Sequence, residues 1–97
     1  MVVGVARVVL HIPASQSLKD KRQVLKSILA QVQRQFQIAA GEVDRQDQWQ
    51  IGVIGLACVS TSARHADEIL AHAVGFISSR AAGADVLDYE TEIIHAF

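Results

Sequence analysis

The densest run of chemically capable side chains lies between positions 15 and 26: Ser15, Ser17, Lys19, Lys21, Arg22 and Lys26. Ser17 followed by Asp20 resembles a capping box, which predicts a helix starting at Leu18. A helix N-terminus offers unpaired N–H groups and a partial positive charge, which suit an anion. The cations beside it suit phosphates. Ser17, Lys19, Lys21, Arg22 and Lys26 are therefore candidate contacts to RNA or another anion. The competing interpretation is a capped helix with a solvated basic face, the usual role of a charge run.

A second group is Glu42, Asp44 and Asp47, with Arg45 and Trp49 nearby. Three carboxylates can hold a divalent cation, but their spacing is not that of a calcium loop, and Asp is an ordinary turn residue. Trp49 can stack a nucleobase, although a tryptophan at a strand start more often covers a core or an interface. The histidines are dispersed. His65 and His72 stand about 10 Å apart on a helix, too far to share a metal. His11 and His95 fall at the ends of strands expected to run antiparallel, most of a strand length apart. Cys58, among Leu56, Ala57 and Val59, has the surroundings of a buried thiol rather than a nucleophile. Gly52-Val-Ile-Gly55 matches a GxxG string, but within a strand it predicts close packing or a bulge, not a backbone-clamping loop. With no nucleophile–base pair, no carboxylates sharing a pocket and no cofactor loop, the expectation is a protein that is not an enzyme and uses neither metal nor cofactor.

The elements that position these residues follow from hydrophobic periodicity. Residues 2–12 form a strand pattern with Val2, Gly4, Ala6, Val8, Leu10 and Ile12 on the core face. The other face shows Val3, Val5, Arg7, Val9 and His11. A helix over about 18–35 buries Leu18, Leu25, Ile28, Leu29, Val32 and Phe36 and places Lys19, Lys21, Arg22, Lys26, Gln33 and Arg34 on its wet side. A modest strand over 37–44 and a long one over 49–60 make a hairpin. Both faces of the long strand are apolar, as in a central strand, so the pattern does not say which one the helices cover. Ser60-Thr-Ser62 offers a cap for a second helix over about 63–81, and Gly83 ends it. In the last strand, 85–96, Leu87, Tyr89, Thr91 and Ile93 form a core face opposite Asp88, Glu90 and Glu92.

The order β-α-β-β-α-β predicts one α+β domain over residues 1–97: a ferredoxin-like sandwich with sheet order 4-1-3-2 and both helices on one face. Its helix-free face would carry Val3, Val5, Arg7 and Val9, with Trp49 at the edge and Arg7 opposite Glu90 or Glu92. RNA-reading sheets of this topology carry aromatics there. An aliphatic face rimmed by charge fits a protein interface instead. Val3, Val5, Arg7, Val9 and Trp49 are thus the expected contacts of a sheet-to-sheet homodimer.

Composition narrows the setting. The 97 residues are 51% hydrophobic and 20% charged, which excludes disorder. The net charge of −1 conceals a division: residues 1–41 carry +5 and residues 42–97 carry −6. A near-neutral total argues against indiscriminate polyanion binding, while a local basic patch still suits a phosphate backbone. The single cysteine points to a reducing compartment. The N-terminus lacks a basic leader and cleavage site, and no apolar run approaches the ~20 residues that span a bilayer. A cytoplasmic protein without membrane contact is expected.

Several segments carry a family resemblance: Ser17-Leu-Lys-Asp-Lys-Arg22, Glu42-Val-Asp44, Gln46-Asp47, Trp49-Gln50, Ala57-Cys-Val-Ser60, Ala63-Arg-His65, Asp67-Glu68 and Asp88-Tyr-Glu90. In this order, over nearly the whole chain, they resemble the YlxP-like bacterial proteins, a family of unknown function. The resemblance implies a ferredoxin-like fold and a tendency to associate. Members are often encoded near ribosome-maturation and translation factors, which implies a role linked to RNA or ribosomes. No catalytic residue carries over. The expected function is a non-catalytic binding or assembly protein that meets RNA or a ribosomal particle through the basic helix. The alternative is a homo-oligomeric regulatory domain that senses a small molecule at its subunit interface.

Overall fold

Alternation in the first strand organises the sheet. In the computed structural model, which describes residues 1–80 and 83–97, β1 (Val2–His11) buries Val2, Gly4, Ala6, Val8 and Leu10 and leaves Arg7 exposed on the other side. The remaining elements are α1 (Leu18–Phe36), β2 (Ala39–Asp44), β3 (Ile51–Ser60), α2 (Ala63–Arg80) and β4 (Asp85–His95). The sheet is antiparallel with order β2-β3-β1-β4, the expected 4-1-3-2 arrangement.

Register decides which face of β3 the helices cover. Gly4 pairs with Cys58, Ala6 with Leu56, Val8 with Ile54 and Leu10 with Gly52. Partners directly opposite share a face, so Gly52, Ile54, Leu56 and Cys58 lie under the helices. Two glycines let the helices approach closely. A Cβ on Gly52 would meet Leu25 Cδ2 at 3.0 Å, and one on Gly4 would meet Leu70 Cδ1 at 3.1 Å. The GxxG string is thus a packing feature of a strand. The two helices also meet through an edge-to-face contact of Phe36 and Phe76, with ring centroids 5.6 Å apart.

Local chemistry sets the helix ends. Ser17 Oγ accepts the Asp20 N–H at 3.1 Å, and Asp20 Oδ2 accepts the Gln16 N–H at 3.0 Å, one residue ahead of the usual capping-box donor. Gln37 takes a left-handed conformation (φ 54°) and donates its N–H to Gln33 O, so β2 begins at Ala39 rather than at Gln37. Ser62 caps α2 by accepting the His65 N–H at 3.3 Å. The expected helix end at Ala81 lies outside the described residues. Gly83 follows at φ 85°, a conformation that glycine adopts freely.

β4 departs from expectation. Its register shifts between Val9 and Leu10, which pair with Asp88 and Val86. Leu87 is the extra residue of this bulge and is 57% exposed. Tyr89 and Thr91 share the helix side with Val8 and Ala6 but stand exposed on the sheet edge. Only Val86 and Ile93 of this strand pack against the core.

Candidate functional site

The buried stripe of α1 is Lys21, Leu25, Ile28 and Val32. Lys21 was expected on the wet side with the other cations, and the structure corrects this: it is wholly buried. Its spacing from Leu18, Leu25 and Ile28 puts it on the core-facing stripe, and local acceptors make the burial tolerable. Nζ donates to Arg45 O at 2.8 Å and Ile51 O at 3.2 Å. It also lies 3.1 Å from Glu42 Oε2. That oxygen is buried and takes no hydrogen bond, so this last contact is Coulombic rather than an aligned bond. Lys21 is therefore a structural clamp and offers nothing to a polyanion.

The clamp has a consequence for the surface. It fastens the β2–β3 connection to the start of α1. Gln50 adds a second fastening: its side-chain amide donates to Pro13 O and Ser15 O, and its carbonyl accepts the Ile12 N–H at 2.8 Å. Ser15 is buried and donates to Ser17 O. Ser15 and Ser17 thus build the turn and cap, and the Asp20 carboxylate already occupies the N-terminal end.

What remains for an anion is a ridge. Lys19, Arg22 and Lys26 recur at spacings of three and four, so they share one face of α1. All three are exposed, and none forms an ion pair among the described residues. Behind the ridge a groove of about 390 Å³ runs between α1 and β2, floored by Leu25, Leu29 and Ala30 and bordered by Glu42.

The helix-free face is the second candidate surface. Register brings Val3, Val5, Arg7 and Val9 together with Val59, Ala57, Gly55 and Val53 of β3 and Ile94, Glu92, Glu90 and Asp88 of β4. Arg7 forms an exposed ion pair with Glu90, directly opposite, as the alternation predicts. Val43, the extra residue of a bulge in β2, leans over Gly55, where a Cβ would come within 2.8 Å of its Cγ1. A shallow concavity of about 620 Å³ lies beside it. Val43 and Ile94 belong to this face although the sequence did not mark them. Trp49 lies outside the paired strand, because β3 begins at Ile51.

The other candidates separate. His95 pairs with Val2 at one end of β1, and His11 sits at the other end. Glu68 pairs with Arg64 at 3.2 Å. Cys58 is buried and directs its Sγ at Ala66 O. Asp44 accepts the Arg45 N–H, while Glu42 turns to Lys21. No three His, Cys, Asp or Glu side chains converge among the described residues.

A four-stranded antiparallel sheet with two helices on one face and no helix on the other defines a ferredoxin-like βαββαβ protein. Its sequence matches, over residues 3–91, the family described as "Protein of unknown function (DUF503)", and the chain belongs to that family. It is 43% identical over 63 residues to the uncharacterized protein YlxP of Bacillus subtilis (strain 168), covering 65% of this chain and 68% of that one. Among solved structures, the de novo designed protein Foldit4 is 13% identical with both chains fully covered and a TM-score of 0.53. A de novo designed protein with a ferredoxin fold is 11% identical, with 99% and 87% coverage and a TM-score of 0.49. At 13% identity the likeness to Foldit4 is one of fold alone. No helix among the described residues is long and apolar enough to cross a membrane.

Proposed function

We propose that this protein is a non-catalytic binding and assembly module of the cytoplasm. Two copies close their bare sheet faces, and the α1 ridge of each lies against phosphates of RNA or a ribosomal particle. The supporting observation is the ridge itself: Lys19, Arg22 and Lys26 are exposed, share one helix face and form no ion pair among the described residues. α1 packs on the side of the sheet opposite the aliphatic face, so closing that face leaves the ridge free. At about 3.3 Å per residue and about 4.8 Å per strand, a four-stranded sheet of this length presents roughly 600 Å². Two such faces bury about 1,200 Å², the lower end of the range for specific interfaces.

Fluorescence anisotropy of labelled RNA at low salt tests the proposal. The wild type binds, and Lys19→Glu/Arg22→Glu/Lys26→Glu does not, with the thermal stability of the two proteins alike. Equal binding by both, or no binding by the wild type, overturns it.

One observation favours a second role. The concavity beside Gly55 lies at the centre of the face that dimerisation would close, so a dimer would enclose it. A small molecule held there makes the protein a ligand-sensing regulator. A thermal-shift screen of metabolites checks this, and the absence of any shift counts against it.

A further inference from the structure

The β2–β3 connection carries an aromatic side chain with no part in the ridge. Trp49 is the sole tryptophan of the chain and is 57% exposed. Its loop is held in place. Lys21 grips the carbonyls of Arg45 and Ile51, on either side of Trp49, while Gln50 binds Pro13 O and Ser15 O. Within the loop, the Gln48 N–H closes a turn on Arg45 O at 3.1 Å. The Lys21 and Gln50 bonds lead to α1 and to the turn before it. The loop that carries the indole is thereby kept at the end of the domain where α1 starts, and Arg45 is exposed on the same loop. An exposed indole on a fastened loop leaves a large apolar ring in water, and a flat partner would cover it.

We propose that Trp49 is a stacking platform for a nucleobase of single-stranded RNA, with Arg45, Lys19 and Arg22 taking the flanking phosphates. This rests on the RNA-binding role proposed above and gives it a strand type and a base contact. Two considerations select a single strand over a duplex. A duplex hides its base faces, whereas an unpaired base can be splayed onto an aromatic ring. The surroundings are also not uniformly cationic: Asp44 ends β2, Asp47 lies on the loop and Asp20 lies in the first turn of α1. Backbone charge alone therefore holds RNA weakly here, and stacking must supply much of the affinity.

The lone tryptophan provides its own readout. The full chain is titrated at low salt with a short single-stranded RNA of mixed sequence, and separately with the duplex that RNA forms with its complement. Indole emission and the anisotropy of labelled RNA are followed together. The expected result is quenching that saturates with binding of the single strand and is absent with the duplex. Trp49→Ala weakens single-strand binding about 5- to 150-fold, the range for loss of one base–aromatic stack, and Trp49→Phe retains most of the affinity. Single-strand binding without quenching, undiminished in Trp49→Ala, overturns the stacking role and leaves the α1 ridge standing. Dissociation of the Trp49→Ala dimer with RNA affinity unchanged assigns the indole to the subunit interface instead. No RNA binding by the wild type overturns both.

Discussion

Replacing Lys21 by methionine keeps much of the side chain's length and removes its charge. The change leaves the Glu42 carboxylate beside an apolar group and takes a donor from Arg45 O and from Ile51 O. Removing one partner of a fully buried pair costs about 3–5 kcal/mol. Two features lower that figure: the Glu42 side chain keeps 19% exposure, and Arg45 O still accepts the Gln48 N–H. A cost of about 2–4 kcal/mol is expected. At 4–8 °C per kcal/mol for a domain of this size, Tm falls by about 8–30 °C. Against a typical total stability of about 5–15 kcal/mol, this is a large fraction. Lys19→Met, a change on the exposed ridge, shifts stability by no more than about 0.5 kcal/mol. Lys21→Met/Glu42→Gln recovers part of the loss, because the stranded charge is gone. Urea unfolding followed by far-UV circular dichroism measures all three variants. If Lys21→Met costs no more than Lys19→Met, or if the double variant recovers nothing, the clamp is wrong.

Two glycines predict opposite signs for the same substitution. Gly52→Ala drives a methyl to within 3.0 Å of Leu25 and destabilises by about 1–3 kcal/mol. Gly75→Ala, in α2 with nothing within 4 Å, stabilises by about 0.5–1 kcal/mol; thermal melts of the pair distinguish them. On the bare face, Val59→Asp/Ile94→Asp places charge in the proposed dimer contact. Sedimentation velocity is expected to give a dimer for the wild type and a folded monomer for this variant, and a monomeric wild type at all concentrations refutes the contact.

Much of the fold was legible in the sequence because apolar residues repeat with the periods of strand and helix. Val2, Ala6, Val8 and Leu10 fix β1, and Leu25, Ile28 and Val32 fix α1. The ion pair between Arg7 and Glu90 followed from alternation and sheet order together. What escaped was set by partners distant in sequence. Lys21 looked solvated because buried lysines are rare unless paired, and its acceptors come from residues 24 and 30 positions away. Its place between Leu18 and Leu25 on the apolar stripe was the available signal. The faces of β3 could not be told apart because both are apolar, and register with β1 decided between them. The core face expected for β4 failed at Leu87 because a bulge breaks the period of two, and at Tyr89 because it stands exposed on the sheet's edge strand, where only Val86 and Ile93 pack against the core. Lys19, Arg22 and Lys26 stand exposed on one face of α1, a placement readable from the sequence because their spacing is local.

The salt dependence of RNA binding bears most directly on the proposed role of that ridge. Each phosphate met by a cation contributes about −0.7 to the slope of log K against log salt for a single strand, so three or four contacts give about −2 to −3. The wild type is expected to show that slope, and Lys19→Glu/Arg22→Glu/Lys26→Glu is expected to show no measurable binding even at the lowest salt. A wild-type slope near zero, or a variant that matches the wild type along the whole titration, contradicts the account.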